Sequence, residues 1–316
     1  MSNSSIDPFP TSTISPFLIA LRTCFITFLG LLIIAGNILS ITVTHRVTNL
    51  AESTKVLMTS LAVYDLLIGI TTLFSIISSA MDRWPFGELS CHMMSAIKSF
   101  VSIMSLQSMI NLNIERYIAV VWPYKFPLWC TRRRVIILIL GVSILSLIQT
   151  VLLTPLYGIK GTYISAAAVC FPSNNSEIIN ILTILSVSIL PTISMIFIYY
   201  RLIKISRQHE RRNNRNGPNE AADMQNNKAL KTFFMVTLSF VCCYTPYLVA
   251  RLVEYYSGKA TSDLLSFLVI SLYIVNSVFN VFIYCLFNQT YRRTAKKIIT
   301  EKLQCCKRTA VGPVNT

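Results

Sequence analysis

Charged residues are scarce in this sequence, and their scarcity decides the class of protein. Only 13% of the 316 residues are Asp, Glu, Lys or Arg, whereas 53% are hydrophobic. A soluble domain usually carries about a quarter charged residues. The mean hydropathy is +0.58. The composition therefore excludes an ordinary soluble domain and predicts an integral membrane protein.

Histidine is also rare, with three residues in the whole chain. All three lie in loops or near the ends of apolar runs, and they form neither a metal-ligand spacing nor an arrangement of nucleophile and base. We therefore predict no catalytic residues, and the protein is not expected to be an enzyme.

Seven apolar runs are long enough to cross a bilayer, which takes roughly 20 residues of helix. The fold class that they predict is an all-α membrane protein with a bundle of seven transmembrane helices. A long polar segment, residues 206–227, separates the fifth and sixth runs and predicts a flexible loop flanked by helical extensions. The runs lie near residues 17–44, 54–81, 89–121, 135–156, 177–203, 229–253 and 262–287.

The distribution of positive charge predicts the orientation. Most of the 28 Lys and Arg residues lie in one set of alternating loops and in the C-terminal tail, whereas the opposite set holds only Arg83, Lys160 and Lys259. Because Lys and Arg favour the cytoplasmic side, we expect the N-terminus outside and the C-terminus inside. The net charge of +15 then reflects the anionic inner leaflet, and no nucleic-acid partner is predicted.

This orientation divides the chain into an extracellular segment 1–16, a seven-helix membrane domain 17–287, and a cytoplasmic amphipathic helix with its tail, 288–316. Two glycosylation sequons fall on the predicted outer side. Two adjacent cysteines follow the cytoplasmic helix, where palmitoylation is expected. These four positions are Asn3, Asn174, Cys305 and Cys306.

Of the nine cysteines, only Cys91 and Cys170 occupy predicted extracellular or outer-boundary positions. Oxidation is permitted on that side of the membrane. A disulfide between them would fix the second outer loop to the top of the third span. The alternative is a pair of separate free thiols. We predict the disulfide.

Short motifs occur along the spans in a recognisable order. The first span contains GNILS, the second SLAVYDLL, the sixth FVCCYTP and the seventh NSVFNVFIY, while WPFG precedes Cys91 and ERY ends the third span. In this order they resemble the rhodopsin-like (class A) G-protein-coupled receptors from Thr23 to about Cys306. The resemblance implies a multi-pass plasma-membrane receptor. Its partners would be an extracellular ligand, a heterotrimeric G protein, arrestin, receptor kinases and membrane lipid.

The resemblance also implies an activation switch at the cytoplasmic side. Glu115 would hold Arg116 in the resting state, and activation would release Arg116 toward Tyr199, Tyr284 and the G protein. The residues of the predicted switch are Glu115, Arg116, Tyr117, Tyr199, Phe240, Tyr244, Pro246, Asn280 and Tyr284.

Several positions depart from the pattern of the family. The fourth span has no Trp, Tyr244 stands where the sixth span usually has Trp, and Val281 stands where the seventh span usually has Pro. Asn226 stands where an acidic residue of the sixth span usually restrains Arg116. The loss of that restraint predicts raised basal activity.

Asp65 is a carboxylate within the second span, where a charge needs partners. The resemblance surrounds it with polar side chains from the first, third and seventh spans, which suit a sodium ion with water. The alternative is a protonated Asp65 in a hydrogen-bond network. No other cofactor is expected. The predicted sodium ligands are Asp65, Ser105, Asn276, Ser277 and Asn280, with Asn37 as a polar neighbour.

Lys98 gives the main indication of the ligand. Receptors for biogenic amines in this family carry Asp seven residues after the third-span Cys, and here that position is Lys98. Together with Arg251, it predicts a ligand with an anionic group, whether a small molecule, a lipid or an acidic peptide. The predicted ligand-binding residues are Lys98, Ser99, Ser102, Thr183, Tyr247 and Arg251.

Other interpretations stay open beside this one. Lys98 could pair with Glu88 or Glu254, and Arg251 with Glu254, in a receptor for a neutral or peptide ligand. An opsin is disfavoured because Ile274 occupies the position of the retinal-binding Lys. A transporter is disfavoured because few charges lie within the spans.

Overall fold

A computed structural model describes most of the chain. The described residues are 15–48, 50–153, 156, 158–173, 185, 189–216 and 220–310. Within these ranges, side chains are described except at residues 152–153, 206, 209–216, 220–231, 233, 303 and 305–310.

Helices make up most of the described chain, and the predicted all-α class is confirmed. The helices are α1 Pro16–Arg46, α2 Glu52–Ala80, α3 Glu88–Val121, a short α4 Phe126–Trp129, α5 Arg132–Ile148, α6 Leu190–Asn216, α7 Glu220–Ser257, α8 Asp263–Phe287 and α9 Gln289–Ala310. A π-helical turn, Gln149–Leu153, extends α5.

Hydroxyl side chains cap the starts of three helices. Ser15 accepts a hydrogen bond of 3.4 Å from the Leu18 amide at the start of α1. Thr131 and Ser262 do the same for α5 and α8. Such caps satisfy one of the amide groups that lack a partner within the helix. They explain why these apolar segments begin where they do.

Six described helical segments are long and apolar enough to cross a membrane, judged by length and composition: α1, α2, α3, Arg132–Val151, Phe234–Ser257 and α8. Large apolar side chains such as Phe28, 65% exposed, face outward, whereas Asp65 is buried. A bundle in lipid has this arrangement. The predicted fifth span extends beyond the described residues, and its described part forms the first turns of α6.

Two strands form an antiparallel hairpin between α5 and α6. They are β1, Lys160–Ile164, and β2, Val169–Ser173, joined through a 3₁₀ turn. Cys170 of β2 is bonded to Cys91 of α3, and their Cα atoms are 5.5 Å apart. The predicted disulfide is confirmed, and it fixes the hairpin to the N-terminal end of α3.

Gly161 allows the hairpin to approach α3 closely. A Cβ atom at this position would lie 2.7 Å from the carbonyl oxygen of Cys91 and 2.8 Å from the Cα atom of His92. Instead, the Gly161 amide donates a hydrogen bond of 3.0 Å to Nδ1 of His92. The backbone of β1 therefore lies directly against α3, with no room for a side chain.

A helix follows the last span, as predicted. Tyr291, Ala295 and Ile298 are buried on one face of α9, where they join the main apolar cluster of the bundle. Arg46 of α1 forms an ion pair of 2.6 Å with Glu301. The hydrogen bond from Arg46 lowers the pKa of Glu301. Apolar packing and this ion pair together hold α9 against the C-terminal end of α1.

Helices enter the polar segment from both sides. α6 continues to Asn216 and α7 begins at Glu220, so the predicted helical extensions are found, and they reach further into residues 206–227 than predicted. Residues 217–219 lie outside the described residues. Each of these helices continues from a formed apolar helix, and adding residues to an existing helix needs no new nucleus.

Candidate functional site

A cavity of about 520 Å³ lies among α2, α3, α7, α8 and the hairpin. This volume suits a small molecule. Thr183, one of the predicted ligand-binding residues, lies outside the described residues. The other predicted ligand-binding residues all line the cavity: Lys98, Ser99, Ser102, Tyr247 and Arg251.

Lys98 of α3 brings an ammonium group into this cavity. Its Nζ donates a hydrogen bond of 3.1 Å to Oγ of Ser75, a buried residue of α2 that sequence analysis missed. Among the described residues, no carboxylate forms an ion pair with Lys98, because Glu88 and Glu254 pair with other side chains. The alternative in which Lys98 pairs with Glu88 or Glu254 is therefore not found among the described residues.

Arg251 forms an ion pair with Glu254, as one of the alternatives predicted. Its two terminal nitrogens lie 2.8 and 3.3 Å from the two carboxylate oxygens. Thr261 donates two further hydrogen bonds to Glu254, of 2.9 Å from its amide and 2.6 Å from its hydroxyl. The guanidinium carbon lies 5.5 Å from the centre of the Tyr247 ring, within the range of a cation–π contact.

Aromatic rings form one wall of the cavity. The ring of Phe171 lies 5.8 Å from that of Tyr247 and 6.0 Å from that of Tyr273, and Tyr273 lies 4.7 Å from Tyr244. Sequence analysis missed Phe171 and Tyr273. Phe171 directly follows Cys170, so the disulfide prediction held the information needed to place it near α3. Tyr273 belongs to none of the motifs.

Hairpin residues also contact the start of α1 and the end of α2. Arg22 donates a hydrogen bond of 2.8 Å to the Ser165 carbonyl and forms an ion pair of 2.7 Å with Asp82. Tyr163 lies beside this pair. Burial raises the pKa of Tyr163 to about 12, with Arg22 lowering it and Asp82 raising it further. The phenol is therefore neutral and acts as packing rather than as an acid.

Asp65 is buried at the centre of the bundle. Its Oδ1 accepts a hydrogen bond of 2.7 Å from Ser105, and its Oδ2 accepts one of 2.9 Å from Asn280. Nearby, Asn37 donates to the Ser277 carbonyl at 3.2 Å. The structure thus brings together polar residues from α1, α2, α3 and α8, as the resemblance implied.

Three amide oxygens of this polar core are buried and accept no hydrogen bond from the described residues. They belong to Asn37, Asn276 and Asn280. Buried polar atoms normally have partners. Carboxylate, hydroxyl and amide oxygens are the donors that hard cations prefer. The residues around Asp65 therefore have the right chemistry to hold a sodium ion.

Glu115 and Arg116 lie together near the C-terminal end of α3, with Nε of Arg116 3.2 Å from a Glu115 oxygen. The other Glu115 oxygen accepts hydrogen bonds of 2.9 Å from Ser53 and 2.7 Å from Thr54. Arg116 donates to the same Thr54 hydroxyl at 2.6 Å. Sequence analysis did not include this attachment of the pair to α2.

The remaining switch residues lie along α3, α6, α7 and α8. The rings of Phe240 and Tyr244 are 4.1 Å apart, just before Pro246 inside α7. Tyr244 also lines the cavity, so this pair connects the cavity wall to the middle of α7. The others are Tyr117 on α3, Tyr199 on α6, and Asn280 and Tyr284 on α8.

Several predicted positions lie beyond what the structure describes. Asn3 and Asn174 are outside the described residues, and the side chains of Cys305, Cys306 and Asn226 are not described. Glycosylation, palmitoylation and raised basal activity therefore stay predictions.

Comparison with known proteins agrees with the sequence motifs of the spans. Residues 36–284 match the family described as 7 transmembrane receptor (rhodopsin family). The chain is 27% identical to the human histamine H2 receptor over 315 residues, which covers 94% of this chain and 85% of that receptor. It is 25% identical to the rat trace amine-associated receptor 9 over 317 residues, covering 92% and 90%.

The family match covers most of the chain and includes the polar core and the Glu115–Arg116 pair. It indicates a multi-pass protein of the plasma membrane that works as a receptor and not as an enzyme. The motifs, the helical bundle with its disulfide-bonded hairpin and the family match lead to one conclusion: this chain belongs to the rhodopsin-like (class A) G-protein-coupled receptors.

Proposed function

We propose that an extracellular ligand binds in the 520 Å³ cavity and that the receptor responds by activating a heterotrimeric G protein at its inner face. Lys98 lines the cavity, and Arg116 lies near the inner end of the same helix, α3. A ligand shifts a receptor toward its active state only as far as it binds that state better. A ligand that contacts α3, α7 and α8 together is well placed to do so.

The ligand carries an anionic group that binds Lys98. The observation that supports this proposal is the Lys98 ammonium, which lines the cavity and has Ser75 as its hydrogen-bond partner, with no carboxylate paired to it among the described residues. An ammonium has three donors. A carboxylate or phosphate from the ligand would neutralise the charge and occupy the remaining donors.

The relatives are named for histamine and for trace amines, so an amine ligand is the second candidate. In this chain, however, Lys98 would repel a cationic amine. Glu254 is the one carboxylate among the described lining residues, and it is engaged by Arg251 and Thr261. A receptor for a neutral or peptide ligand is a third candidate, in which Lys98 only stabilises α2 against α3.

A charge-matched ligand panel tests these candidates. Arylalkyl acids, the corresponding amides and the corresponding amines would be applied to cells that express the receptor with a set of Gα subunits. We expect activation by acids. Lys98→Ala should weaken the best acid about ten- to a hundred-fold, since a hydrogen bond to a charged group contributes about 1.5–3 kcal/mol.

Lys160→Ala serves as the matched control, because Lys160 is exposed on the hairpin and does not line the cavity. Activation by the amines alone would contradict acid recognition. Equal affinity of the Lys98→Ala receptor for the best acid would contradict it as well and would favour the third candidate.

We also propose that the polar core around Asp65 binds a sodium ion as a further ligand. Asp65 supplies the charge, and Ser105, Asn276, Ser277 and Asn280 supply oxygen atoms. A bound cation would stabilise the buried carboxylate without a proton.

Other proposed partners meet the inner face. They are arrestin, receptor kinases and membrane lipid. The exposed side of α9 carries Arg292, Arg293, Lys296 and Lys297, while its opposite side is buried against the bundle. Basic side chains favour an anionic leaflet, which agrees with a cytoplasmic α9 and an extracellular N-terminus. Palmitate on Cys305 or Cys306 would add a second attachment.

A further inference from the structure

Arg251 already has a partner within the receptor. Both oxygens of Glu254 contact its guanidinium, at 2.8 and 3.3 Å. The two side chains are partly buried, with 28% and 20% of their surface exposed. A ligand anion can therefore bind Arg251 only by replacing Glu254 or by lying beside it.

Glu254 is also fixed in position. The amide and the hydroxyl of Thr261, in the loop between α7 and α8, both donate to one of its oxygens. The Thr261 hydroxyl lies 2.6 Å from that of Ser266 on α8. If Glu254 turned away to release Arg251, these loop contacts would be lost as well. The carboxylate therefore stays at the edge of the cavity.

The charges around the cavity then have a simple balance. Among the described lining residues, the charged ones are Lys98, Arg251 and Glu254. Arg251 and Glu254 neutralise one another, which leaves the single positive charge of Lys98. One anionic group on the ligand balances the charge of Lys98. A second anionic group would be repelled by the negative charge of Glu254.

We propose that Glu254 is a specificity-determining residue that restricts the cavity to ligands with one anionic group. This inference rests on the proposed binding of an acid by Lys98 and adds the charge number of the ligand. Removing the charge of Glu254 would free Arg251 and convert the cavity into a site for a dianion. Specificity of this kind depends on repelling the wrong ligand as well as attracting the right one.

Three probes of similar size test the proposal: 3-phenylpropanoate with one carboxylate, 2-phenylsuccinate with two, and uncharged 3-phenylpropanamide. Their phenyl rings suit the wall formed by Phe171, Tyr247 and Tyr273. Dissociation constants would be measured by calorimetry on the purified full-length receptor in lipid nanodiscs. The wild-type receptor should bind the monoacid more tightly than the diacid or the amide.

Glu254→Gln is the informative variant, because Gln keeps an oxygen that accepts the hydrogen bonds of Thr261. It should improve the affinity for 2-phenylsuccinate relative to 3-phenylpropanoate by about tenfold or more. The double variant Arg251→Gln with Glu254→Gln should keep the wild-type preference, because no guanidinium is then freed. Glu254→Ala is measured beside Glu254→Gln in case the latter folds poorly.

Glu88→Gln is the matched control. It removes the same charge from an exposed position that pairs with His92 and does not line the cavity. The ratio of its affinities for 2-phenylsuccinate and 3-phenylpropanoate should equal that of the wild type. An equal change in Glu88→Gln would mean that net charge, and not the release of Arg251, sets the ratio, and would overturn the proposal.

The two hypotheses fail in different ways. The role of Glu254 would be overturned if the wild-type receptor preferred the diacid. It would also be overturned if Glu254→Gln and Glu254→Ala had the same ratio of diacid to monoacid affinity as the wild type. Acid recognition would then stand, provided that Lys98→Ala loses affinity for the monoacid. Undiminished monoacid binding by Lys98→Ala would overturn acid recognition itself. A wild-type receptor that binds none of the probes at millimolar concentration would overturn both.

Discussion

Thr237 of α7 donates a hydrogen bond of 3.3 Å to the side-chain oxygen of Asn113 on α3, and both residues are buried. The amide nitrogen of Asn113 donates to the Met109 carbonyl one turn earlier, which fixes its orientation. This contact joins the two helices in the inner half of the bundle. The resemblance to the family implies a second restraint by an acidic residue at position 226, and this chain has Asn226 there.

Thr237→Val should raise ligand-independent G-protein activation. Val keeps the shape of Thr but cannot donate to Asn113, so separation of α7 from α3 becomes easier. A typical hydrogen bond contributes about 1 kcal/mol, so the active fraction should rise roughly fivefold. The measurement is basal nucleotide exchange on Gα at equal surface expression. Thr245→Val, on the exposed face of α7, is the control and should have no effect.

Arg116→Ala should abolish G-protein activation and preserve ligand binding. Arg116 lies at the inner end of α3 with Glu115 and Thr54, and it does not line the cavity. Nucleotide exchange and ligand affinity would be measured on the same membranes. Arg293→Ala on the exposed side of α9 provides the control. Normal signalling by the Arg116→Ala receptor would show that Arg116 is not part of the activation switch.

The sequence was sufficient to predict the parts of this molecule that depend on composition or on a motif. Apolar runs predicted the six described helical segments that are long and apolar enough to cross a membrane, and the predicted outer positions of Cys91 and Cys170 predicted their bond. The motif residues around Asp65 do meet in space. Each of these predictions used either the length of an apolar run or the position of a residue within the ordered motifs.

Contacts set by the rotation and packing of helices could not be predicted in this way. Ser75 and Thr237 are ordinary hydroxyl residues in apolar helices, and only the structure shows that one meets Lys98 and the other Asn113. The full extent of the helical ends of α6 and α7 was not predicted, because the polar composition of residues 206–227 resembles a loop. Packing between helices decided the contacts of Ser75 and Thr237, whereas propagation of formed helices decided how far α6 and α7 extend.

The bonded cysteines should behave as one unit. Cys91→Ser and Cys170→Ser should each reduce surface expression, since loss of a native disulfide typically costs about 2–5 kcal/mol. The double variant should be no worse than either single variant, because each removes the same bond. Expression would be quantified by surface labelling, with Cys24→Ser, an exposed free thiol, as the control. Additive losses would show separate roles for the two thiols.

Gly161→Val should prevent the hairpin from packing on α3. The new side chain would meet the Cys91 carbonyl at 2.7 Å, and backbone atoms cannot move aside cheaply. Overpacking costs about 1–3 kcal/mol, so thermal stability and ligand affinity should both fall. Gly141→Val is the control, because a Cβ atom there meets nothing within 4 Å. Equal melting temperatures for the two variants would contradict the close contact.

Sodium should stabilise the receptor through Asp65. A ligand present at ten times its dissociation constant adds about 1.4 kcal/mol to the stability of the folded state. We therefore expect a higher melting temperature of the purified receptor in NaCl than in KCl at equal ionic strength, which keeps screening of surface charges constant. Asp65→Asn should remove this difference, because the amide keeps the size of the side chain but not its charge. Asp82→Asn, a carboxylate change just after α2 beside Arg22, should keep the difference in melting temperature between the two salts even if it lowers stability.

If Asp65 is instead protonated within a hydrogen-bond network, the wild-type receptor would melt at the same temperature in both salts. Asp65→Asn would then be as stable as the wild type, and sodium would have no place in the polar core.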